Sequence, residues 1–266
     1  RMSNKETIKA QRDDYQKHGF IRLPQLFSRA NIVTFEQDIS AAVIRLADPT
    51  ADKHPNSESD AYAQAFTQVM NLWRHDLKVR SIVFNPQLAA AAAQLMGVES
   101  VRLYHDQALY KAPRGGMTPW HCDQYYWPLD TDKTITAWIP LQDTPIEMGA
   151  VVFSAGSHHI PMGRDLPIGD DSQQIISDNL NRLGLEHVEQ NFDAGDVSFH
   201  SGWTFHSAGP NLTDRPRRAM TVIYMENGAR LKAPENANQE ADREAWCPGL
   251  AVGDEVATFI NPVLHG

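Results

Sequence analysis

The stretch Trp120-His121-Cys122-Asp123 decides how this chain is interpreted, because it places an imidazole and a carboxylate two positions apart. Side chains of an extended strand alternate between its faces, so His121 and Asp123 share one face and Cys122 takes the other. These are two of the three groups of a 2-His-1-carboxylate triad, which suits non-haem Fe(II) and leaves positions open for substrates. Alone, a His-x-Asp pair is more often solvated surface, so the hypothesis needs a second histidine.

Composition narrows the function classes. The chain has 266 residues and a formal net charge of -9, which argues against a nucleic-acid-binding surface or a polybasic membrane patch. No apolar run is long enough to span a bilayer, and no signal peptide is evident. The two cysteines, Cys122 and Cys247, form no disulfide framework, so we expect a reducing, cytoplasmic setting. We interpret Cys122 as a packed thiol and not as a ligand.

The first hundred residues are mostly helical in pattern. We predict helices over 3–18, over 28–45 with Ser28 as its cap, within 62–83, and over 86–96 up to Gly97. The helix in 62–83 would contain Phe66, Val69 and Leu72. Residues 20–24 alternate like a short strand, and residues 47–60 have the composition of a loop.

From residue 99 onward, short apolar runs separated by turn residues predict strands. These runs are 101–104, 108–111, 134–141, 151–153, 196–199 and 219–225. Helices followed by many short strands indicate a mainly β fold, a sandwich or barrel with helices supporting one face. The polar stretch 160–190 has the character of a long insertion, and residues 228–266 favour no particular element.

The second histidine of the metal site is open from the residues alone. The candidates are His105, His158, His159, His187, His200, His206 and His265. His200 and His206 lie in one run that leaves a predicted strand, turns at Gly202 and enters another. Arg217 follows eleven residues after His206, beside Arg215 and Arg218. A guanidinium grips a carboxylate with two hydrogen bonds, and strand alternation lets Arg217 face inward while Arg218 faces out.

In the order of its motifs, the chain resembles the phytanoyl-CoA dioxygenase (PhyH)-like family of Fe(II)/2-oxoglutarate-dependent oxygenases. The resemblance covers about residues 15–226 and rests on the opening motif, the run 135–141, Gly149, 156–158, His206, 210–211 and Arg217. It implies a double-stranded β-helix, a cupin-like jelly roll with iron between two sheets. We therefore expect one domain over 1–266, with helical support at about 3–98, the jelly-roll core at about 99–226 and a C-terminal extension at 227–266.

The resemblance also implies roles for individual residues. His121, Asp123 and His206 would bind Fe(II), and Arg217 would clamp 2-oxoglutarate, with Lys111 and Trp138 lining the co-substrate pocket. Lys111 is alternatively a strand lysine that reaches solvent along apolar surface. Relatives often carry a serine two residues past the second histidine, whereas this chain has Ala208 there and Ser207 beside it. An aspartate in the triad favours hydroxylation, desaturation or ring chemistry over halogenation.

The expected enzyme uses Fe(II), 2-oxoglutarate and O2, with ascorbate as a reductant in vitro, and releases succinate and CO2. Its partner would be a small organic substrate, without nucleic acid or membrane, and the oligomeric state is open. We place Gln107, Tyr125, Tyr126 and Trp127 at the mouth of the site as substrate contacts. The alternative is that two of these aromatic residues close the edge of the sandwich. The competing functions are a jelly-roll metal protein with non-oxidative chemistry and a catalytically silent family member.

Overall fold

Helices, strands and short turns alternate along the computed structural model, which describes residues 3–47 and 66–266. The helices are α1 (Asn4–His18), α2 (Arg29–Leu46), α3 (Leu77–Val83), α4 (Pro86–Met96), α5 (Asp170–Arg182) and α6 (Ala237–Trp246). The strands are β1 (Phe20–Leu23), β2 (Phe66–Met70), β3 (Val101–Lys111), β4 (Thr118–His121), β5 (Thr134–Pro140), β6 (Val151–Ser154), β7 (His187–Val188), β8 (Val197–Ser201), β9 (His206–Ala208), β10 (Arg217–Glu226) and β11 (Val263–His265). Short 3-10 turns lie at Leu72–Arg74, Asp123–Tyr126, Ile146–Met148 and Ser157–His159.

Two antiparallel sheets face each other. Within the described residues, the larger sheet has the strand order β1-β8-β5-β10-β3-β11. Strand β2 also pairs with β3, along the C-terminal half of β3, whereas β11 pairs with its N-terminal end. The smaller sheet has the order β4-β9-β6-β7. The predicted fold class is therefore confirmed: a mainly β chain with supporting helices and a jelly-roll core. Strands far apart in the chain are neighbours in these sheets, as β1 and β8 or β4 and β9 are, so side chains from distant segments gather between the sheets.

The helices α1 to α4 cover the outer face of the larger sheet. Ser28 caps α2 by accepting from the Asn31 amide at 3.0 Å, as predicted, and Gly97 ends α4 in the left-handed conformation at φ 70°. Ile32 and Ile39 of α2 are buried in the same core cluster as Ile135 on β5. This apolar layer holds the sheet in place and leaves its inner face for the site.

Alternation along the central strands separates apolar from polar side chains. On β10, Met220 and Val222 belong to the helix-facing core, whereas Arg217 and Thr221 face the space between the sheets. Because both faces are covered, the polar row is buried as deeply as the apolar one: Arg217 is only 2% exposed and Thr221 only 4%. Buried polar groups need hydrogen-bond partners, and these polar side chains line one shared cavity.

The predicted helix with Phe66, Val69 and Leu72 is wrong. Residues 62–65 lie outside the described residues, and Phe66–Met70 forms β2, with Val69 opposite Ala108 of β3. The spacing of these apolar residues fits a helix, but pairing with a long neighbouring strand overrides that local pattern. The loop predicted at 47–60 falls, apart from Ala47, outside the described residues.

Other segments are more ordered than their sequences indicate. The runs 101–104 and 108–111 are one strand, β3, which continues through residues 105–107. The stretch 160–190 contains α5, which packs on β4. The C-terminal residues supply α6 and the edge strand β11, which pairs with β3. None of the helices in the described ranges is both long enough and apolar enough to cross a bilayer.

The turn after β2 depends on a buried carboxylate. Asp106 is fully buried on β3, and it accepts hydrogen bonds from the backbone amides of Leu72 at 2.9 Å and Trp73 at 3.1 Å. Asp106→Ala would leave two buried amides unsatisfied, at about 1–3 kcal/mol each. We therefore expect a clearly lower melting temperature for Asp106→Ala than for Asp165→Ala, an exposed control. Equal melting temperatures would contradict this role of Asp106.

Candidate active site

Three potential metal ligands lie close together at the edge of the smaller sheet where β4 ends and β9 begins. His121 ends β4 and lies opposite His206, which begins β9, so their ring centroids are 4.2 Å apart. Asp123 opens the following 3-10 turn, and its Oδ1 lies 3.5 Å from the Nε2 of each histidine. The ligand atoms of the three residues lie within 4.8 Å of one another, close enough to hold one metal ion.

Backbone carbonyls set the tautomer of both histidines. Nδ1 of His121 lies 2.7 Å from the carbonyl oxygen of Pro119, and Nδ1 of His206 lies 3.0 Å from that of Thr204. A carbonyl oxygen only accepts, so each Nδ1 carries the proton. Each Nε2 is therefore the nitrogen left to coordinate a metal, and it faces Asp123, as in metal-binding histidines.

The electrostatics of the cluster favour the metal-binding protonation states. Burial raises the pKa of Asp123, but the imidazoles of His206, His121 and His200 outweigh burial and hold it well below its usual value. Burial lowers the pKa of His206 to about 3. At neutral pH the site therefore combines an ionised carboxylate with a neutral imidazole, the forms that coordinate metals.

His200, a rival ligand candidate in the sequence, instead contacts the carboxylate. Its Nε2 donates to Asp123 Oδ2 at 2.9 Å, while its Nδ1 has no hydrogen-bond partner among the described residues. This bond fixes one carboxylate oxygen and leaves Oδ1 facing His121 and His206. Strand parity on β8, where Ser198 and His200 alternate with core residues, is the signal in the sequence that points to this inward position.

The triad forms one wall of a cavity that opens to solvent. Five of the residues expected from the sequence to contact the co-substrate or the substrate line this cavity: Gln107, Tyr126, Trp127, Trp138 and Arg217. Sequence reasoning missed other lining residues, which come from β2, β5 and α6, namely Met70, Thr136, Asp242 and Trp246, and it considered His105 of β3 only as a possible metal ligand. Most of these lie in segments where no motif was visible. Their position depends on strand pairing and on the return of the C-terminal helix.

Arg217 lies at one end of the cavity. Its Nη1 donates to the carbonyl oxygen of Gly149 at 2.9 Å, and its guanidinium lies 5.7 Å from the ring centroid of Trp138. Arg218 points to the opposite face, where its Nη1 is 3.5 Å from a carboxylate oxygen of Glu36. The alternation predicted for the two arginines is thus what the structure shows.

Lys111 and Tyr125 are placed beside the cavity and are not among its lining residues in the described chain. Lys111 Nζ donates to the carbonyl oxygen of Gly209 at 2.7 Å, and burial together with Arg217 lowers its pKa to about 6. The Tyr125 hydroxyl accepts from Asn238 at 3.0 Å. Tyr125 thus helps to hold the C-terminal helix against the core, and its expected substrate contact stays a prediction.

Comparison with known proteins agrees with this geometry. Residues 15–219 match the sequence model of the family described as phytanoyl-CoA dioxygenase (PhyH). The chain is 23% identical over 222 residues to a probable alpha-ketoglutarate-dependent hypophosphite dioxygenase of Stutzerimonas stutzeri, covering 80% of this chain and 77% of the relative. It is 25% identical over 215 residues to a methylphosphonate hydroxylase of Gimesia maris, covering 81% and 79%.

Solved structures show the same fold. The epimerase SnoN from nogalamycin biosynthesis, in complex with Fe3+, alpha ketoglutarate and nogalamycin RO, superposes with a TM-score of 0.79 at 25% identity, covering 98% of this chain and all of that chain. The carbocyclase SnoK has a TM-score of 0.77 at 24% identity, covering 96% and 95%.

Replacing the triad histidines tests the assignment of ligands. We expect His121→Ala and His206→Ala to lose Mn(II) or Fe(II) binding, because two remaining ligands hold a divalent ion poorly. His200→Ala should weaken binding only about 10- to 100-fold, as loss of a residue that orients a ligand does. Calorimetric titration measures this, with exposed His159→Ala as the unchanged control. Loss of binding in His200→Ala but not in His206→Ala would show that the assignment is wrong.

Proposed function

We propose that this chain, which belongs to the phytanoyl-CoA dioxygenase (PhyH) family, is an oxygenase that depends on Fe(II) and 2-oxoglutarate. It would act on a small organic substrate. The observation that carries the proposal is the shared cavity. A triad in which the Nε2 atoms of both histidines face one carboxylate oxygen lines the same space as a buried guanidinium. Oxygenase chemistry of this class needs both groups.

The residues fit an iron ion by their chemistry. His121, Asp123 and His206 supply two imidazoles and one carboxylate, the donor set typical of non-haem Fe(II) oxygenases. The backbone bonds to each Nδ1 and the His200 bond to Asp123 keep these donors oriented before a metal binds. Little reorganisation is therefore needed on binding.

The residues also fit 2-oxoglutarate. Arg217 would bind the far carboxylate of the acid through its planar guanidinium, and Trp138 and Phe66 flank that guanidinium at 5.7 and 5.5 Å. Lys111 would stabilise this end of the cavity indirectly, because its Nζ already donates a hydrogen bond to the carbonyl oxygen of Gly209. Ser207 and Ala208 line the cavity next to His206, so Ser207 offers the hydroxyl that relatives place one residue later.

When bound, iron with 2-oxoglutarate and O2 supplies C–H oxidation and releases succinate and CO2. The residues of this chain position the reactants and exclude water. Tyr126, Trp127 and Ile168 line the cavity, and the Tyr126 hydroxyl accepts from the Ile168 amide at 2.9 Å. That bond joins the turn after the triad to the segment that leads into α5.

Hydroxylation is the reaction we propose. Asp123 is present and held in place by His200, so the position that a halogenating enzyme leaves open for chloride is filled. The two curated relatives are named a dioxygenase and a hydroxylase, whereas the solved neighbours are an epimerase and a carbocyclase. Mass analysis distinguishes these outcomes, because hydroxylation adds one oxygen atom, epimerisation leaves the mass unchanged and ring formation removes two hydrogens.

Succinate formation tests the class of reaction. Purified protein supplied with Fe(II), ascorbate, O2 and 2-oxoglutarate should form succinate slowly, and faster with a substrate found by screening. Asp123→Ala should lose this activity, because the triad is then incomplete. Folded, iron-loaded protein that forms no succinate, or forms as much as the Asp123→Ala variant, would overturn the proposal.

Replacing the two neighbouring arginines tests the co-substrate site. Arg217→Ala removes one side of a charge-assisted pair, which costs about 2–5 kcal/mol in a desolvated site. We expect it to weaken 2-oxoglutarate binding at least tenfold, with metal affinity little changed. Arg218→Ala, on the opposite face of the same strand, is the matched control and should change little. Equal losses in a 2-oxoglutarate titration would refute the role assigned to Arg217.

A further inference from the structure

The cavity has a second polar end, far from Arg217. On the paired strands β3 and β10, Arg217 lies opposite Lys111, and Ile223 lies opposite His105. Six residues separate the two pairs along β3, which is about 20 Å at a strand rise of 3.3 Å per residue. His105 and Arg217 both line the cavity, so its two ends differ in chemistry and stand apart in space.

Asp242 supplies a carboxylate at this second end. It is carried by α6 and lines the cavity, and its Oδ2 accepts from the Tyr104 hydroxyl at 2.9 Å. Burial raises the pKa of Asp242 to about 7, although the bonds from Tyr104 and Trp246 act in the opposite direction. Among the described residues it forms no ion pair. A desolvated carboxylate in this position gains most from a cationic partner.

His105 adds a second acceptor and no charge. Its Nδ1 lies 3.1 Å from the carbonyl oxygen of Asp106, so Nδ1 carries the proton and Nε2 is an acceptor. Burial lowers the pKa of His105 to about 4, and the ring is therefore neutral at pH 7. It stacks on Trp246 with 4.6 Å between centroids, which places it beside the helix that carries Asp242.

Aromatic rings enclose the same end. Trp127 and Trp246 line the cavity together with Tyr126, and aromatic faces attract cations, most strongly when water is excluded. Within the described part of the chain, Arg217 is the one Lys or Arg among the lining residues. A substrate anion at the Asp242 end would meet acceptors and rings but no positive charge.

We infer that the substrate carries a cationic nitrogen, a protonated amine, which binds between Asp242, His105 and the ring of Trp246. This inference rests on the proposed function in one respect only, that the cavity is the substrate site. Acceptors and aromatic rings at one end would orient the amine, and the body of the molecule would extend toward the triad. A small oxyanion, as in the two curated relatives, does not fit this end.

Binding of three matched probes tests the inference without turnover. Benzylammonium, benzyl alcohol and benzoate are similar in size and differ in charge. Each is titrated calorimetrically into the purified full chain with Mn(II) and excess 2-oxoglutarate present and O2 excluded, so that Asp123 and Arg217 in the same cavity are occupied and do not bind the probes. We expect benzylammonium to bind most tightly. Asp242→Asn keeps the acceptor for Tyr104 but removes the charge, and it should weaken benzylammonium at least tenfold. Glu244→Gln, an exposed position on the same helix, is the control and should bind like the parent.

Three results would overturn the inference. They are benzyl alcohol or benzoate binding to the parent as tightly as benzylammonium, an Asp242→Asn variant that binds like the parent, and no benzylammonium binding at about 10 mM, which fills most of a millimolar site. The probe order on the parent decides the matter even if Asp242→Asn folds poorly. The oxygenase proposal fails separately, through absent succinate formation, because these titrations need no catalysis.

Discussion

The pairing of β4 with β9 is the constraint on which the candidate site depends. It sets His121 opposite His206, and the turn that follows β4 brings Asp123 between them. The backbone carbonyls of Pro119 and Thr204 then determine which nitrogen of each ring carries the proton. The sheet thus supplies the spacing as well as the protonation of the donors. A metal ion would therefore bind to donor side chains that folding has already oriented.

The larger sheet makes this arrangement stable by burying two chemically different faces. Its outer face packs apolar residues against helices, while its inner face presents Arg217, Thr221, Thr136 and His200 to the cavity. Three of these side chains have hydrogen-bond partners in the protein: His200 bonds Asp123, Arg217 bonds the carbonyl oxygen of Gly149, and Thr221 bonds that of Gln107. Burial lowers the pKa of Lys111 and of His105, whereas the imidazoles of His206, His121 and His200 outweigh burial and hold the pKa of Asp123 below its usual value.

The cavity is polarised along its length. A donor end is formed by Arg217, the triad lies on the facing sheet, and an acceptor end is formed by Asp242 and His105. The acceptor end depends on α6, which lies beyond the residues 15–219 that match the family. The groups expected for metal and co-substrate therefore lie in the part shared with relatives. The groups we infer to select the substrate come largely from a segment outside that match.

The sequence alone determined whatever depends on short-range periodicity. Alternation distinguished Arg217 from Arg218, and capping residues located the helices α2 and α4. The His-x-Asp spacing pointed to His121 and Asp123 as neighbours, although Asp123 lies in a 3-10 turn after β4 and not in a strand. Only the tertiary structure decided which histidine completes the cluster, that His200 bonds Asp123, that residues 66–70 form a strand, and that Asp242 enters the cavity. The physical reason is that side-chain direction within an element follows from local geometry, whereas neighbours across strands are set by pairing between residues far apart in the chain.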